Sequence, residues 1–291
     1  MINVLILGSN GMLGYAVKKV LSKSKKIDIK TTSRRNNDSD YYFDNERNFF
    51  DLEFLFKKPC RIDYIINCIG VLGNQIDTQN LLSIQNAIKI NSLFPYDLAS
   101  LAMKYNSKVI HISTDAVFSE SSKNCFEDTS CDPDDIYGKS KRLGEVKSSN
   151  FLNIRCSIIG PSPYKKKGIL EWFLNQPKNA RINGFTNQNW NGVTTTQFAE
   201  LCKSLIINDY FDRIINQNST QHFCPNSTVT KYELLVLFQK YFRSDMIVIP
   251  VAKPRNKITR TLKTRYTFLN GLIRNDNITK AIKDLNQEIN Y

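Results

Sequence analysis

Three glycines spaced three residues apart near the N-terminus, Gly8, Gly11 and Gly14 in GSNGMLG, constrain the fold of this chain more than any other feature. They come directly after a short apolar run, residues 3–7. They open a segment in which Met12, Leu13, Ala16, Val17, Val20 and Leu21 recur at three- and four-residue spacing. That pattern predicts a buried strand, a tight turn and an amphipathic helix. Glycine lets the backbone turn sharply and come close to a phosphate, and a helix N-terminus offers free N–H groups and partial positive charge. Gly8, Asn10, Gly11, Met12, Leu13 and Gly14 are therefore the candidate pyrophosphate-binding residues of a dinucleotide site. A ligand-free turn would use the same glycines, and only the later parts of the chain separate the two readings.

Beyond the turn, apolar runs alternate with helical stripes. Residues 27–32, 64–67, 108–113 and 151–155 read as strands, and 85–104 and 137–147 as helices. Strand and helix in alternation over the first 160 residues predict a parallel α/β sheet of Rossmann type, doubly wound. After Gly160 the pattern loosens. A short apolar helix is expected at 169–174, a helix at 194–207 and another at 228–242, started by Thr194 and by Thr228 or Thr230. The expected organisation is a nucleotide-binding domain at 1–160 to which 193–225 returns. A smaller C-terminal substrate-binding region, 161–192 and 226–291, completes it. The cleft between the two is the natural place for a ligand.

The chain has 291 residues, 41% of them hydrophobic and 23% charged, a globular mix that argues against disorder. No apolar run approaches the ~18 residues that a membrane span needs. The apolar N-terminus lacks a basic region and is interrupted by Ser9 and Asn10, so it reads as a buried strand rather than a signal peptide. Seven cysteines at irregular spacing, with no CxxC, fit a reducing cytoplasm, and with only His111 and His222 as imidazoles no metal site is expected. The net charge of +13 is spread along the chain without a nucleic-acid motif. An anionic nucleotide substrate and a phosphorylated cofactor would account for part of it, and no nucleic-acid partner is expected. No motif reports the oligomeric state; a homodimer is carried as an expectation.

The second strand leads into Ser33-Arg34-Arg35. NAD-preferring sites place an acidic residue here for the ribose hydroxyls. Two guanidinium forks suit the 2′-phosphate of NADPH instead, with NADH left open. Asp38 falls beyond the expected strand end, and Asp44, after an aromatic pair, is an expected adenine contact.

Tyr137 and Lys141 are four residues apart, which puts phenol and ammonium on one helix face. The charge is expected to favour the phenolate and make Tyr137 an acid–base catalyst. Ser113 and Thr114 end an apolar strand 23 residues earlier, where ligands bind in open α/β sheets. A hydroxyl there can donate to a carbonyl oxygen as charge builds on it.

With these residues in this order, the chain resembles the extended short-chain dehydrogenase/reductase family, and within it the dTDP-4-dehydrorhamnose reductase group. The carrying stretches are GSNGMLG (8–14), NCIG (67–70), STDAVF (113–118), YGKSKRLGE (137–145) and RCSIIG (155–160), and the likeness fades after about residue 207. The resemblance implies Thr114, Tyr137 and Lys141 as the catalytic set. It implies a loop under the cofactor at Asn67, Cys68, Ile69 and Gly70, an asparagine behind the site at Asn91, and a segment near the nicotinamide at Arg155, Cys156 and Ser157. The Cys156 side chain itself reads as a buried thiol.

Two departures refine this resemblance. Ala116 stands where the rhamnose-pathway reductases carry an aromatic residue and the related 4,6-dehydratases an acid, so elimination chemistry is not expected. GILEWFL (168–174) and NWNGVTT (189–195) look like a branch whose members resemble reductases of UDP-linked 4-keto-6-deoxy-N-acetylhexosamines. The expected activity is NADPH-dependent reduction of the C4 keto group of a nucleotide-linked 4-keto-6-deoxyhexose for surface polysaccharide synthesis. A sugar-nucleotide epimerase and a non-catalytic cofactor-binding subunit are the alternatives. Expected substrate contacts are Ala116, Lys167 and Trp190, the last of which reads equally as a packed core residue. Lys165 and Lys166 beside it are placed either at a diphosphate or in a solvated loop.

Overall fold

Val4 to Leu7 are all buried, and their side chains divide between two apolar clusters, Val4 and Ile6 to one and Leu5 and Leu7 to the other. A strand buried on both faces belongs inside a parallel sheet with helices on each side. The computed structural model has that form, and it describes residues 1–34, 39–44, 51–57, 61–162, 164, 166–252, 260–273 and 277–289. Strand β1 (Ile2–Leu7) pairs with β2 (Ile27–Ser33), and β3 (Tyr41–Tyr42) extends that edge. On the other side β1 pairs with β4 (Tyr64–Asn67), then come β5 (Lys108–Ile112), β6 (Phe151–Arg155) and a last strand at Thr220–His222. All these pairings are parallel, and the strand order reverses direction between β1 and β4. The α/β Rossmann fold expected from the sequence is the observed one. Its switch point, where such sheets open a crevice at their carboxyl ends, lies beside the glycine-rich turn.

Helix α1 (Met12–Leu21) and the helix Thr195–Ile207 cover one face, through Val17, Val20, Phe198, Leu201 and Leu205. The other face is covered by α2 (Asp51–Phe56) and by Phe94, Leu98 and Ala102 farther along. The segment expected as one helix at 85–104 is two, α3 (Leu81–Ile88) and α4 (Phe94–Lys104), joined by a π-helical turn at Lys89–Leu93. The wider turn carries Asn91 in buried position. The expected helix 137–147 is the shorter α5 (Ile136–Leu143). It is capped by Asp135, whose carboxylate accepts from the Gly138 amide at 2.7 Å. It stops at Gly144, where a Cβ would lie 1.9 Å from the Asn91 carbonyl oxygen. That near-contact of backbones locks α5 against the π turn.

Beyond residue 158 a third apolar cluster forms, including Phe173, Trp190, Leu234, Phe238 and Ile282. It is framed by a parallel pair of strands, Arg181–Phe185 and Ile247–Val251. The helices Thr195–Ile207 and Lys231–Tyr241 both begin with reciprocal caps, Thr194 with Gln197 and Thr230 with Glu233. Among the described residues no helix is long and apolar enough to cross a membrane.

Candidate active site

The turn after β1 is stapled to the end of β2: the Ser9 amide and hydroxyl both donate to the Thr32 carbonyl, at 3.0 and 3.1 Å. Gly8 sits at φ +77°, a conformation that side chains oppose. Gly14 has a different task. A Cβ there would lie 2.2 Å from the Gly8 carbonyl oxygen, so its absence lets α1 rest directly on the turn. Gly11 caps α1 without a side-chain acceptor, which leaves first-turn N–H groups open to a ligand. A crevice runs past this turn in two parts. A cavity of about 750 Å³ is lined by Gly8, Asn10, Gly11, Arg34 and Phe43 among others. The other, about 390 Å³, is lined by Gly11, Met12 and Leu13 at one end and by Thr114, Ala116, Tyr137 and Lys141 at the other. Cys68, Ile69, Gly70 and Lys167 line both parts.

Thr114, Tyr137 and Lys141 thus meet in one cavity from two elements. The Thr114 hydroxyl donates to Asp115 Oδ1 at 3.3 Å and accepts from the Ala116 amide at 3.1 Å. Contrary to the expected direction, the Tyr137 phenol is not lowered. Burial pushes it up to about 12, the Thr114 hydroxyl pulling it down and the Asp115 carboxylate adding to the rise. Lys141 engages its amine elsewhere: it donates to the Ile112 carbonyl at 2.7 Å and lies 3.2 Å from His111 Nε2. Burial pushes this amine down to about 8, against the charge of Glu145. Phenol and amine thus line one cavity, the phenol holding its proton firmly and the amine holding its own loosely.

Two expected residues support the site from behind. Asn91 bonds both the amide and the carbonyl of Val71, at 2.9 Å each, and donates to Ser140 Oγ at 3.1 Å, tying the loop after β4 to α5. Asn67 is buried and accepts from the Ile69 amide at 3.1 Å. The end of β5 is held by an ion pair that no sequence pattern announces. Glu145, just past α5, accepts from Ser113 Oγ at 2.7 Å and from Arg155 Nε and Nη2 at 2.7 Å each. Both charged side chains are at most 3% exposed.

Arg34 lines the wider cavity as an exposed side chain, while Arg35, Asp38 and Lys165 lie outside the described residues. Asp44 is buried one residue on from Phe43. Cys156 and Ser157 line the narrower cavity, and burial raises the Cys156 thiol, which leaves it protonated. Trp190 corrects the expectation of a sugar contact. It is only 4% exposed, belongs to the third apolar cluster, and donates its Nε1–H to Ser157 Oγ at 2.8 Å. It therefore braces the wall of the cavity from behind. Sequence reasoning misses Asp115 and Arg260, yet both line the cavity. Burial raises the Asp115 carboxyl, offset by the charges of Arg260 and Lys231. Arg260 Nε is buried and makes no hydrogen bond to any described residue. No periodicity marks Arg260, whereas Asp115 stands within the STDAVF stretch and could have been read from it.

A family model described as the RmlD substrate binding domain matches residues 2–263. The chain is similar to the dTDP-4-dehydrorhamnose reductase of Aggregatibacter actinomycetemcomitans, 29% identical over 146 residues, which is 50% of this chain and 46% of that protein. It spans about half the length of the curated relatives it matches. A crystal structure of a dTDP-4-dehydrorhamnose reductase from Clostridium acetobutylicum superposes over 100% of both chains with TM-score 0.77 and 21% identity. One from Bacillus anthracis, in complex with NADP, covers 99% of both with TM-score 0.75 and 20% identity. At such identities the solved structures speak for the fold, and it is the family model, matched over nearly the whole chain, that carries the assignment. The chain belongs to the RmlD substrate binding domain family of extended short-chain dehydrogenases/reductases.

Proposed function

We propose that the protein is an NADPH-dependent reductase of the C4 keto group of a nucleotide-linked 4-keto-6-deoxyhexose. The observation that carries the reading is the convergence of Thr114, Tyr137 and Lys141 on a cavity whose other end is the glycine-rich turn. The residues present fit a dinucleotide. Gly8, Gly11 and the uncapped start of α1 would hold its pyrophosphate, Arg34 its 2′-phosphate, and Cys68, Ile69 and Gly70 would pass beneath it. Bound there, the reduced nicotinamide would supply a hydride, one proton with two electrons, to the carbonyl carbon. Thr114 holds the carbonyl oxygen and Tyr137 delivers a proton to it as charge builds. The phenol starts protonated at neutral pH, as a proton donor must. Asp115 and Arg260 are suited to the hydroxyl and phosphate oxygens of the sugar nucleotide, as is Lys167.

We read 1–160 with 193–225 as the cofactor half and the remainder as the substrate half, in a cytoplasmic protein. A homodimer through the exposed apolar side chains Leu93, Tyr96, Met103 and Leu143 fits the same reading, and light scattering gives its mass. The decisive experiment is loss of NADPH absorbance with a panel of UDP- and dTDP-linked 4-keto-6-deoxy sugars. Stoichiometric consumption with one of them is expected. Isomerisation without net consumption would make the protein an epimerase.

A further inference from the structure

His111 stands one residue before the end of β5, 1% exposed, with its ring tilted against Phe151 at 5.4 Å between centroids. Its register partner on β4 is Asn67, and the two side chains meet: Asn67 Nδ2 lies 3.0 Å from His111 Nδ1. The other ring nitrogen, Nε2, lies 3.2 Å from the Lys141 amine. The direction of each bond is set by a backbone group that has no choice. The Ile69 amide can only donate, and it points at the Asn67 side-chain oxygen at 3.1 Å. The Asn67 amide nitrogen therefore faces the ring and donates to Nδ1. Buried and beside Lys141, the imidazole is neutral. A neutral ring that accepts at Nδ1 carries its proton on Nε2. That N–H is aimed at Lys141.

We propose that His111, fixed by Asn67 as its Nε2–H tautomer, is a positioning residue that turns the Lys141 amine toward the Ile112 carbonyl and opposes a lasting positive charge on it. A neutral amine meets every partner there: it donates to Ile112 and accepts from His111. An ammonium donates to Ile112 but sets a second N–H against the ring N–H. The groups that act on this amine are few. Glu145, from the segment after α5, favours the charge, burial opposes it, and Cys156, from the segment after β6, faces it as a protonated thiol. The consequence, which rests on the reductase reading, is that His111 sets the charge state of the amine in the cavity that Lys141 shares with Tyr137.

The chain has two histidines, which makes the test direct. His222 Nδ1 meets the Lys263 carbonyl at 2.7 Å and its Nε2 meets Arg155 Nη1 at 3.2 Å, so His222 is held in the opposite tautomer. Long-range proton–nitrogen correlation on the full wild-type chain, without cofactor, should show one ring protonated at Nε2 (His111) and one at Nδ1 (His222). An Nδ1–H signal from His111 would overturn the proposal. In a carbon-13 lysine titration, His111→Phe should raise the Lys141 midpoint by about one pH unit, since the opposing N–H is gone. A fall would mean that the ring accepts from an ammonium, and would overturn it too. In turnover, the limb of the pH profile that belongs to Lys141 should move by the same amount. If no keto-sugar is reduced at all, the reductase reading fails, while the two spectroscopic results judge His111 on their own.

Discussion

Glu145→Gln should cost this protein a large part of its stability while leaving the outline of the site intact. Glu145 is 1% exposed and Arg155 3%, and the carboxylate takes four hydrogen bonds: Ser113 Oγ, Arg155 Nε, Arg155 Nη2 and Arg142 Nη1. Whichever way the amide turns, its NH2 faces guanidinium donors. Arg155 stays charged beside His222, Cys131 and the face of Phe118, with Glu127 the carboxylate left to act on it. Breaking one side of a buried pair costs about 3–5 kcal/mol, against a total of roughly 5–15 for a domain. Urea unfolding monitored by tryptophan fluorescence should show the midpoint falling by roughly 1–2 M. Replacing both partners by apolar residues, Glu145→Leu with Arg155→Met, should recover at least half of the loss. The pH dependence has a definite sign. Burial raises the Glu145 carboxyl, but its bonds to Arg155 overcome that and hold it below the usual range. Its contribution is therefore present above the unfolded carboxyl pKa and lost as pH falls through the folded one. Wild type and Glu145→Gln should converge in acid. A loss below about 1 kcal/mol near pH 7 would refute the view that this pair fastens the end of β6 to the segment after α5.

Tyr137→Phe should lower kcat by roughly 10²–10⁴ and leave NADPH affinity, read by quenching of protein fluorescence, within a few-fold of wild type. Unchanged turnover would remove the phenol from its role. Gly14→Ala places a methyl 2.2 Å from the Gly8 oxygen and 2.8 Å from Ser9 Cα, both backbone. Either the turn or α1 must shift, so NADPH affinity should fall at least tenfold, measured by calorimetry, with less effect on the unfolding midpoint than Glu145→Gln has. Arg34→Ala should weaken NADPH by roughly 10- to 100-fold and NADH hardly at all, one charge-assisted contact being worth ~1.5–3 kcal/mol. Equal losses for the two cofactors would refute the 2′-phosphate contact.

These perturbations also mark where the chain can be read in advance. The glycine turn, the end of β5 and the Tyr137–Lys141 pair are local in sequence, and each has a spacing that fixes its geometry: three residues between glycines, four between positions on one helix face. They are legible because a few adjacent residues decide them. The π turn at Asn91 is not, since an apolar stripe over 85–104 fits one long helix equally well. What forces the extra residue is the close approach of Gly144 to the Asn91 carbonyl, 53 positions away along the chain. The direction of the Tyr137 shift escapes the sequence for a similar reason. Helical spacing says that phenol and amine share a face, but not how deeply both are buried or what else the amine binds.

The polar pairs behind the site obey one further rule, and it explains why a sequence hides them. Asn67 is in register with His111 across β4 and β5, and Arg155 with His222 across β6 and the last strand. In a sheet, side chains in register on neighbouring strands are the ones that touch. Asn67, His111 and Arg155 sit in largely apolar runs, YIIN, KVIHI and FLNIR, and His222 ends the short polar strand TQH; all four are buried, where a polar group is costly unless it is paired. Register is set by crossover connections tens of residues long, so no window along the chain contains both members of a pair. A polar residue at the carboxyl end of an apolar strand is nonetheless a signal in itself. It demands a partner, and in an open α/β sheet that partner lies beside the crevice. By that rule Asn67, His111, Arg155 and His222 form two cross-strand pairs behind the catalytic trio. The first ends on the Lys141 amine. The second joins through Glu145 to Ser113, the residue before Thr114.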